Sequence, residues 1–98
     1  MAAYVIATYD IVDQKGYEDY VPGVLPLLNK HGAEIIAADF DAKILEGDRR
    51  SVYLVLRFET EEAALEWYYD PEYEPVRKIR LASSANGNMA IAREFVPS

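Results

Sequence analysis

The sequence predicts an α+β fold in which two strand-helix-strand halves form a four-stranded antiparallel sheet with both helices on one face. Three observations predict this arrangement. Segments of strand and helix character follow one another in the order strand, helix, strand, strand, helix, strand. Residues 51–73 contain a buried strand, a capped helix and a sharp corner, and the opening strand is apolar on both of its faces.

Residues 51–73 carry the clearest local signals. Val52–Phe58 is a run of β-branched, aromatic and apolar residues interrupted by one arginine, which suits a central strand better than an edge strand. Thr60 offers a hydroxyl group that can cap a helix, and the two glutamates that follow place negative charge on the first helical turn. We expect this helix to end near Asp70 and Pro71.

The opening strand, Tyr4–Ile11, makes the sheet difficult to cover. Tyr4, Ile6 and Thr8 lie on one face, and further apolar side chains lie on the other. Because both helices lie on one side of the sheet, the other side stays open, and a contiguous apolar sheet face marks an interaction surface. We therefore expect a symmetric homodimer that packs sheet face against sheet face, with a flat-faced monomer as the alternative.

The first helix should begin after Asp13, a candidate N-cap, because its apolar residues follow helical spacing from Tyr17 to Leu28. Two prolines and a glycine interrupt this segment. We expect a kink or break near residues 20–23, with a proline at the start of the second piece. His31 and Gly32 should close the helix as a last-turn cation and a left-handed glycine.

The remaining elements have weaker boundaries, because turn-forming residues interrupt their apolar patterns. In chain order, we expect a strand at 34–38 that continues irregularly to 45, a hairpin turn at 46–48, a helix that starts near Glu74, a polar loop at 83–88 and a last strand at 89–95.

Length and composition exclude several classes of function. The chain, residues 1–98, fits a single domain. The absence of cysteine excludes thiol catalysis, disulfides and thiolate metal sites, and it fits a reducing compartment. A net charge of −7 argues against binding to nucleic acid or an anionic membrane. No apolar run approaches the ~20 residues of a membrane span and no signal-peptide pattern is present, so we predict a soluble cytoplasmic protein.

Residues spread over nearly the whole chain resemble those of a known family. The likeness rests first on the opening strand, which ends in Asp10, on the pair Tyr17 and Tyr20 in the first helix, and on the end of that helix at Gly32. It continues with the run Leu45, Glu46, Gly47 and Asp48, and then with Trp67, Tyr68, Pro71, Glu72, Tyr73 and Arg80. In their order and spacing, these residues resemble the domains of unknown function numbered 1330, within the dimeric α+β barrel group of ferredoxin-like folds. The resemblance implies a dimer. Wider relatives include cofactor-free monooxygenases and isomerases that work in a pocket between sheet and helices.

His31 and Asp10 are the candidate catalytic residues. His31 is the only histidine, and histidine is the side-chain type whose unperturbed pKa lies near neutrality, so it is the natural candidate for proton transfer. Its position at a helix end equally suits an interaction of His⁺ with the helix dipole, which is the favoured explanation. Asp10 could join Glu46 and Asp48 in an acidic cluster for proton transfer or a hard cation, although carboxylates at strand ends and turns are most often solvated or capping.

Five further residues are candidates for substrate binding: Arg80, Tyr9, Tyr20, Trp67 and Tyr73. Arg80, on the inward face of the last helix, could hold a carboxylate through two hydrogen bonds, or it could form an ion pair with Glu46 or Asp48. Aromatic residues with a polar tip line ligand pockets well, but they fill small cores and dimer seams equally well, and the latter role is favoured.

The sequence does not disclose a reaction. No spacing matches a metal motif, a phosphate loop or a nucleophile elbow, so neither a metal nor a cofactor is predicted. In one hypothesis, a dimer binds or transforms a small, anionic organic molecule in a pocket between sheet and helices. In the other, the dimer is a non-catalytic structural or ligand-sensing module. Convergence of His31, Arg80 or Asp10 on one pocket would favour the first hypothesis.

Overall fold

One four-stranded antiparallel sheet organises the chain in the computed structural model, which describes residues 1–98. Its strands are β1 (Ala3–Ile11), β2 (Glu34–Asp39), β3 (Val52–Phe58) and β4 (Ser84–Arg93), in the spatial order β2-β3-β1-β4. The helical segments are α1 (Gln14–Tyr17), α2 (Tyr20–Lys30), α3 (Glu61–Tyr68) and α4 (Tyr73–Ser83). The predicted α+β fold class is confirmed. None of the helices combines the length and the apolar character needed to cross a bilayer.

The helices cover only one face of the sheet, and β1 shows this by the alternation of its side chains. Val5 and Ala7 are each 1% exposed, whereas Ile6 between them is 45% exposed. Because successive side chains of a strand point to opposite faces, Val5 and Ala7 belong to the covered face and Ile6 to the open one. The predicted open sheet face is therefore present in the isolated chain.

An apolar row crosses the centre of the open face. The strand registers place Ile6 opposite Val55 of β3 and Ala90 of β4, and Val55 in turn lies opposite Ala37 of β2. We call these residues the apolar row: Ala37, Val55, Ile6 and Ala90. The neighbouring rows of the same face carry polar or amphipathic side chains, among them Thr8, Tyr53, Asn88, Tyr4 and Arg57.

The core lies between the covered face and the helices, and three aromatic rings in tilted contact form its centre. Trp67 of α3 lies between Phe58 of β3 and Tyr73 of α4, with ring centroids 5.7 Å and 4.7 Å away. All three side chains are at most 1% exposed. Burial of this much aromatic surface fixes α3 and the start of α4 against β3.

The helix starts follow from capping groups. Thr60 accepts a hydrogen bond from the backbone N–H of Ala63 at 3.0 Å, which confirms the predicted N-cap of α3. Asp13 caps α1 in the same way, by accepting from the N–H of Gly16 at 3.0 Å. The last residue of α3 is Tyr68, close to the predicted end.

The break in the first predicted helix lies slightly earlier than predicted, at residues 18–19 between α1 and α2. Pro22 consequently falls in the first turn of α2, where a backbone N–H would have no helical partner in any case. Pro26 lies inside α2. Gly32 has a φ of +72°, a left-handed conformation that ends α2 as predicted.

The predicted continuation of β2 is wrong, because β2 ends at Asp39 and residues 40–51 form a loop. The Asp39 side chain accepts a hydrogen bond from the backbone N–H of Asp41 at 2.8 Å, and this local turn replaces strand pairing. The connection to β3 is therefore longer than the short hairpin turn predicted. Within it, Gly47 has a φ of +88° and lies in the predicted turn.

The predicted polar loop at 83–88 is also wrong, because α4 ends at Ser83 and β4 begins at once. Asn86, with a φ of +55°, donates a side-chain hydrogen bond to Asp10 at 2.8 Å. A register irregularity in β1 accompanies this contact and lets the small polar residues pair with the end of β1. Phe95, predicted inside the last strand, lies beyond it and is 87% exposed.

Candidate functional site

A cavity of about 120 Å³ lies between the covered face of the sheet and α2. All of its lining residues are hydrophobic or aromatic, and they come from β1, α1, α2, β2, the loop after β2, β3 and α3. The buried residues Val52, Leu56 and Trp67 form its inner wall. An apolar lining of this kind favours an apolar molecule over water.

The opening of the cavity is a ring of half-exposed apolar side chains, which we call the mouth: Val21, Leu25, Ile35 and Phe40. Their exposed fractions run from 38% to 55%. One side of the mouth belongs to β2, an edge strand that pairs only with β3. The cavity therefore opens to solvent between α2 and the edge of the sheet.

Four tyrosines form the tyrosine cluster beside the cavity: Tyr9, Tyr17, Tyr20 and Tyr73. They come from four different elements, and their hydroxyl groups join in two pairs. The Oη atoms of Tyr9 and Tyr17 are 2.6 Å apart, and those of Tyr20 and Tyr73 are 2.7 Å apart. All four tyrosines are buried, and the rings of the first three also line the cavity.

Arg80 of α4 lies within the tyrosine cluster and is only 5% exposed. Its Cζ atom is 5.7 Å from the ring centroid of Tyr9 and 5.8 Å from that of Tyr20. Its Nε atom is buried without a hydrogen-bond partner. No carboxylate forms an ion pair with Arg80; the alternative pairing with Glu46 or Asp48 is wrong, because both acids lie in the exposed loop between β2 and β3.

The surroundings keep Arg80 charged and keep Tyr9 and Tyr20 neutral. Burial lowers the pKa of Arg80, but electrostatic interactions with Tyr20 and Tyr73 raise it by more. Its pKa therefore lies above the ordinary value for arginine. Burial raises the pKa of Tyr9, and the hydrogen bond with Tyr17 raises it further. Burial and the neighbouring Tyr73 raise the pKa of Tyr20. At neutral pH these phenols are therefore hydrogen-bond donors and not bases.

Trp67 separates the cavity from a second, more open groove. This groove has a volume of about 320 Å³ and lies between α3 and β4, with Tyr68, Tyr69, Met89 and Ile91 among its lining residues. The indole Nε1 of Trp67 is buried and has no hydrogen-bond partner. Trp67 thus borders both apolar spaces on the covered side of the sheet.

His31 lies outside the cavity lining and binds an acidic residue at the corner between α3 and α4. Its Nε2 is 2.8 Å from Oδ2 of Asp70, which also accepts from Nζ of Lys30 at 2.8 Å. The other carboxylate oxygen of Asp70 accepts from the N–H of Glu72 at 2.9 Å. Hydrogen bonds from Lys30 and His31 hold the pKa of Asp70 far below its usual range. His31 therefore ties the end of α2 to this corner, whereas the sequence predicted a role toward the helix dipole.

Asp10 joins the ends of three strands. Its carboxylate accepts hydrogen bonds from the N–H of Ser51 at 3.0 Å, from Asn86 at 2.8 Å and from Arg50 at 3.3 Å. The bond from Asn86 is the main cause of a pKa below the ordinary value. The expected acidic cluster with Glu46 and Asp48 is not formed, and no group of three or more histidine or acidic side chains is placed to hold a metal ion.

The structure thus brings together the five predicted binding residues and leaves the two predicted catalytic residues elsewhere. Tyr17 was not among the sequence candidates, although it contributes a hydroxyl group and a wall of the cavity. Its spacing of three residues from Tyr20 was the available signal. The break between α1 and α2 obscured it, because helical spacing alone does not continue across a break.

Solved structures share this fold along almost the whole chain. A protein of unknown function from Rhodopseudomonas palustris is 14% identical, with a TM-score of 0.84 over 98% of this chain and 84% of that chain. A dimeric ferredoxin-like protein of unknown function from Jannaschia is 11% identical, with a TM-score of 0.66 over 96% and 100%. SnoaB from Streptomyces nogalater, a cofactor-independent oxygenase, is 12% identical, with a TM-score of 0.65 over 99% and 98%.

No curated protein matches the chain. The solved structures, at these identities, establish the ferredoxin-like fold and no activity. The model of a sequence family described as a domain of unknown function (DUF1330) matches residues 2–95. The chain therefore belongs to the family of domains of unknown function numbered 1330.

Proposed function

We propose that the protein binds a small organic molecule, about the size of one ring, in the cavity between the sheet and α2. One observation carries the proposal: an apolar cavity of about 120 Å³ with a mouth to solvent. An engineered apolar cavity of about 150 Å³ in another protein binds benzene, so this volume suits a ligand of one ring. Each CH₂ group that such a ligand buries contributes about 0.8 kcal/mol.

The surroundings of the cavity support binding rather than catalysis. Tyr9 and Tyr20 of the tyrosine cluster stay neutral at physiological pH because their pKa values are raised, so they are poor general bases. His31 and Asp10, which could move a proton, are held by hydrogen bonds to other residues away from the cavity lining. We therefore propose a ligand-binding or ligand-sensing module in which Arg80, the tyrosines and Trp67 are binding residues.

We also propose that the protein is a homodimer through the open face of its sheet. The apolar row supports this, because a second copy packed on that face would bury Ile6 and Val55 within a rim of polar side chains. The dimeric Jannaschia protein has the same fold. The absence of a nucleic-acid or membrane partner and a cytoplasmic location stay predictions from composition.

Benzene binding measured by NMR tests the proposed cavity. Trp67 is the only tryptophan, so its indole N–H gives one signal at the cavity wall. We expect benzene to shift this signal in a saturable way. Ala38→Phe, which places a ring in the cavity from β2, should weaken binding at least about tenfold because the added ring occupies the ligand's volume.

Ala82→Phe is the matched control, because Ala82 is exposed on α4 and does not line the cavity. It should bind benzene as the wild type does. An unchanged indole signal at saturating benzene, or equal binding by both variants, would refute the cavity as the site.

A further inference from the structure

The tyrosine cluster has more hydrogen-bond donors than it can use. Each tyrosine hydroxyl carries one hydrogen, and a pair of hydroxyls shares only one of its two hydrogens. The Tyr9–Tyr17 pair and the Tyr20–Tyr73 pair therefore each leave one O–H without an acceptor inside the pair. Arg80 adds only donors, and its Nε–H is unpartnered. One O–H of each pair and the Nε–H of Arg80 therefore remain without an acceptor.

The cluster also carries a positive charge without a counter-charge. Arg80 is only 5% exposed, and no acidic side chain forms an ion pair with it. The faces of Tyr9 and Tyr20 stabilise the guanidinium through cation–π contacts. Those contacts offset part of the cost of burying a charge, but they supply no negative charge.

The cluster adjoins the apolar cavity directly. Tyr9, Tyr17 and Tyr20 contribute their rings to the cavity wall and their hydroxyl groups to the cluster. Arg80 does not line the cavity, but it lies against the rings of Tyr9 and Tyr20. A ligand in the cavity therefore has apolar surroundings on most sides and, beyond one layer of tyrosine, a positively charged group of donors.

We propose that the ligand is an apolar carboxylate whose ring or short chain fills the cavity and whose carboxylate binds at the tyrosine cluster. The proposal rests on the function proposed above and names its ligand class. A carboxylate has acceptors only, so it matches the spare O–H groups, and its charge neutralises Arg80. An amine would add donors and a second positive charge to the same place.

Benzoate and benzamide, which share a ring and a shape but differ in charge, test this proposal. By the same NMR titration at neutral pH, benzoate should bind at least roughly tenfold more tightly than benzamide, because hydrogen bonds to a charged group are the stronger ones. Arg80→Met should reduce this ratio to about one. Lys78→Met removes the same charge from the exposed side of α4 and should leave the ratio unchanged.

Further outcomes separate the two proposals. If Arg80→Met does not fold, a variant with both Tyr9→Phe and Tyr17→Phe keeps the rings, removes one hydroxyl pair and should lower the ratio. Equal binding of benzoate and benzamide by the wild type, or a ratio that persists in the folded variants, would overturn the carboxylate assignment while benzene binding still supports the cavity. Failure of benzene, benzoate and benzamide alike would overturn the proposed function itself.

Discussion

At the residue scale, two buried charged groups have opposite surroundings. Asp70 receives three hydrogen bonds, from Lys30, His31 and the N–H of Glu72. Arg80 donates none to a carboxylate, and its Nε–H has no hydrogen-bond partner. A fully bonded carboxylate is a structural anchor, whereas an unpaired buried cation marks a place where a ligand can supply the missing charge. The two residues therefore differ in their surroundings, and only Arg80 is proposed as a binding residue.

The bonds to Asp70 predict a pH dependence of stability. Because its pKa is lower in the folded chain than the value of about 3.9 for an unfolded aspartate, the unfolded state binds more protons between these two values. The stabilising contribution is complete above about pH 5 and is lost as the pH falls toward the folded pKa. We expect Asp70→Asn to lower the free energy of unfolding at neutral pH and to flatten its dependence on pH below about 5.

Urea denaturation at a series of pH values measures both effects. Asp48→Asn, at an exposed position in the loop before β3, is the control and should follow the wild type. Parallel pH curves for wild type and Asp70→Asn would contradict the anchoring role.

The grouping of the site residues could be predicted only in part. Tyr73 and Arg80 share a helical face, so their proximity followed from spacing. The unpaired state of Arg80 could not be predicted, since 17 acidic residues against 10 basic ones make a carboxylate partner the natural expectation. Only the tertiary arrangement, which surrounds Arg80 with phenols, excludes those acids.

At the element scale, the N-cap of α3 connects a local sequence signal to stability. Thr60→Ala removes the hydroxyl group that accepts from the N–H of Ala63, and it should lower the free energy of unfolding by about 1 kcal/mol. Urea denaturation measures the change. Thr60→Ser keeps the hydroxyl group and should lose little of this stability, so an equal loss in both variants would assign the effect to the methyl group instead.

Element types could be predicted more reliably than element ends. Val52–Phe58 and the Thr60 cap were predicted correctly because their signals are local: a β-branched run and a side chain next to its helix. The start of β4 was missed because small polar residues pair with β1 through a contact between Asn86 and Asp10, which lie 76 positions apart. No local pattern contains that contact.

At the scale of the whole molecule, the open sheet face is the surface proposed for the dimer. Val55→Asp places a charge in the centre of the apolar row, where a face-to-face dimer would bury it without a partner. We expect sedimentation to show a dimer for the wild type and a monomer, or an unfolded chain, for the variant. Asn88→Asp, at an exposed position in the neighbouring row, should stay dimeric.

A monomeric wild type would refute the dimer, whereas a folded Val55→Asp variant of unchanged dimer mass would place the dimer contact on another face. The cavity proposal would survive this result, because the cavity lies on the opposite side of the sheet from the apolar row.

The position of β2 at the edge of the sheet bears on how a ligand would enter the cavity. Its ladder to β3 is its single attachment to the sheet, and all of its side chains are exposed. Strands held this loosely open more readily than central ones, so we expect β2 to fray while Val52 and Leu56 stay in place. The mouth would then adjust to the shape of a bound ligand, and the rigid inner wall of the cavity would determine which ligands fit.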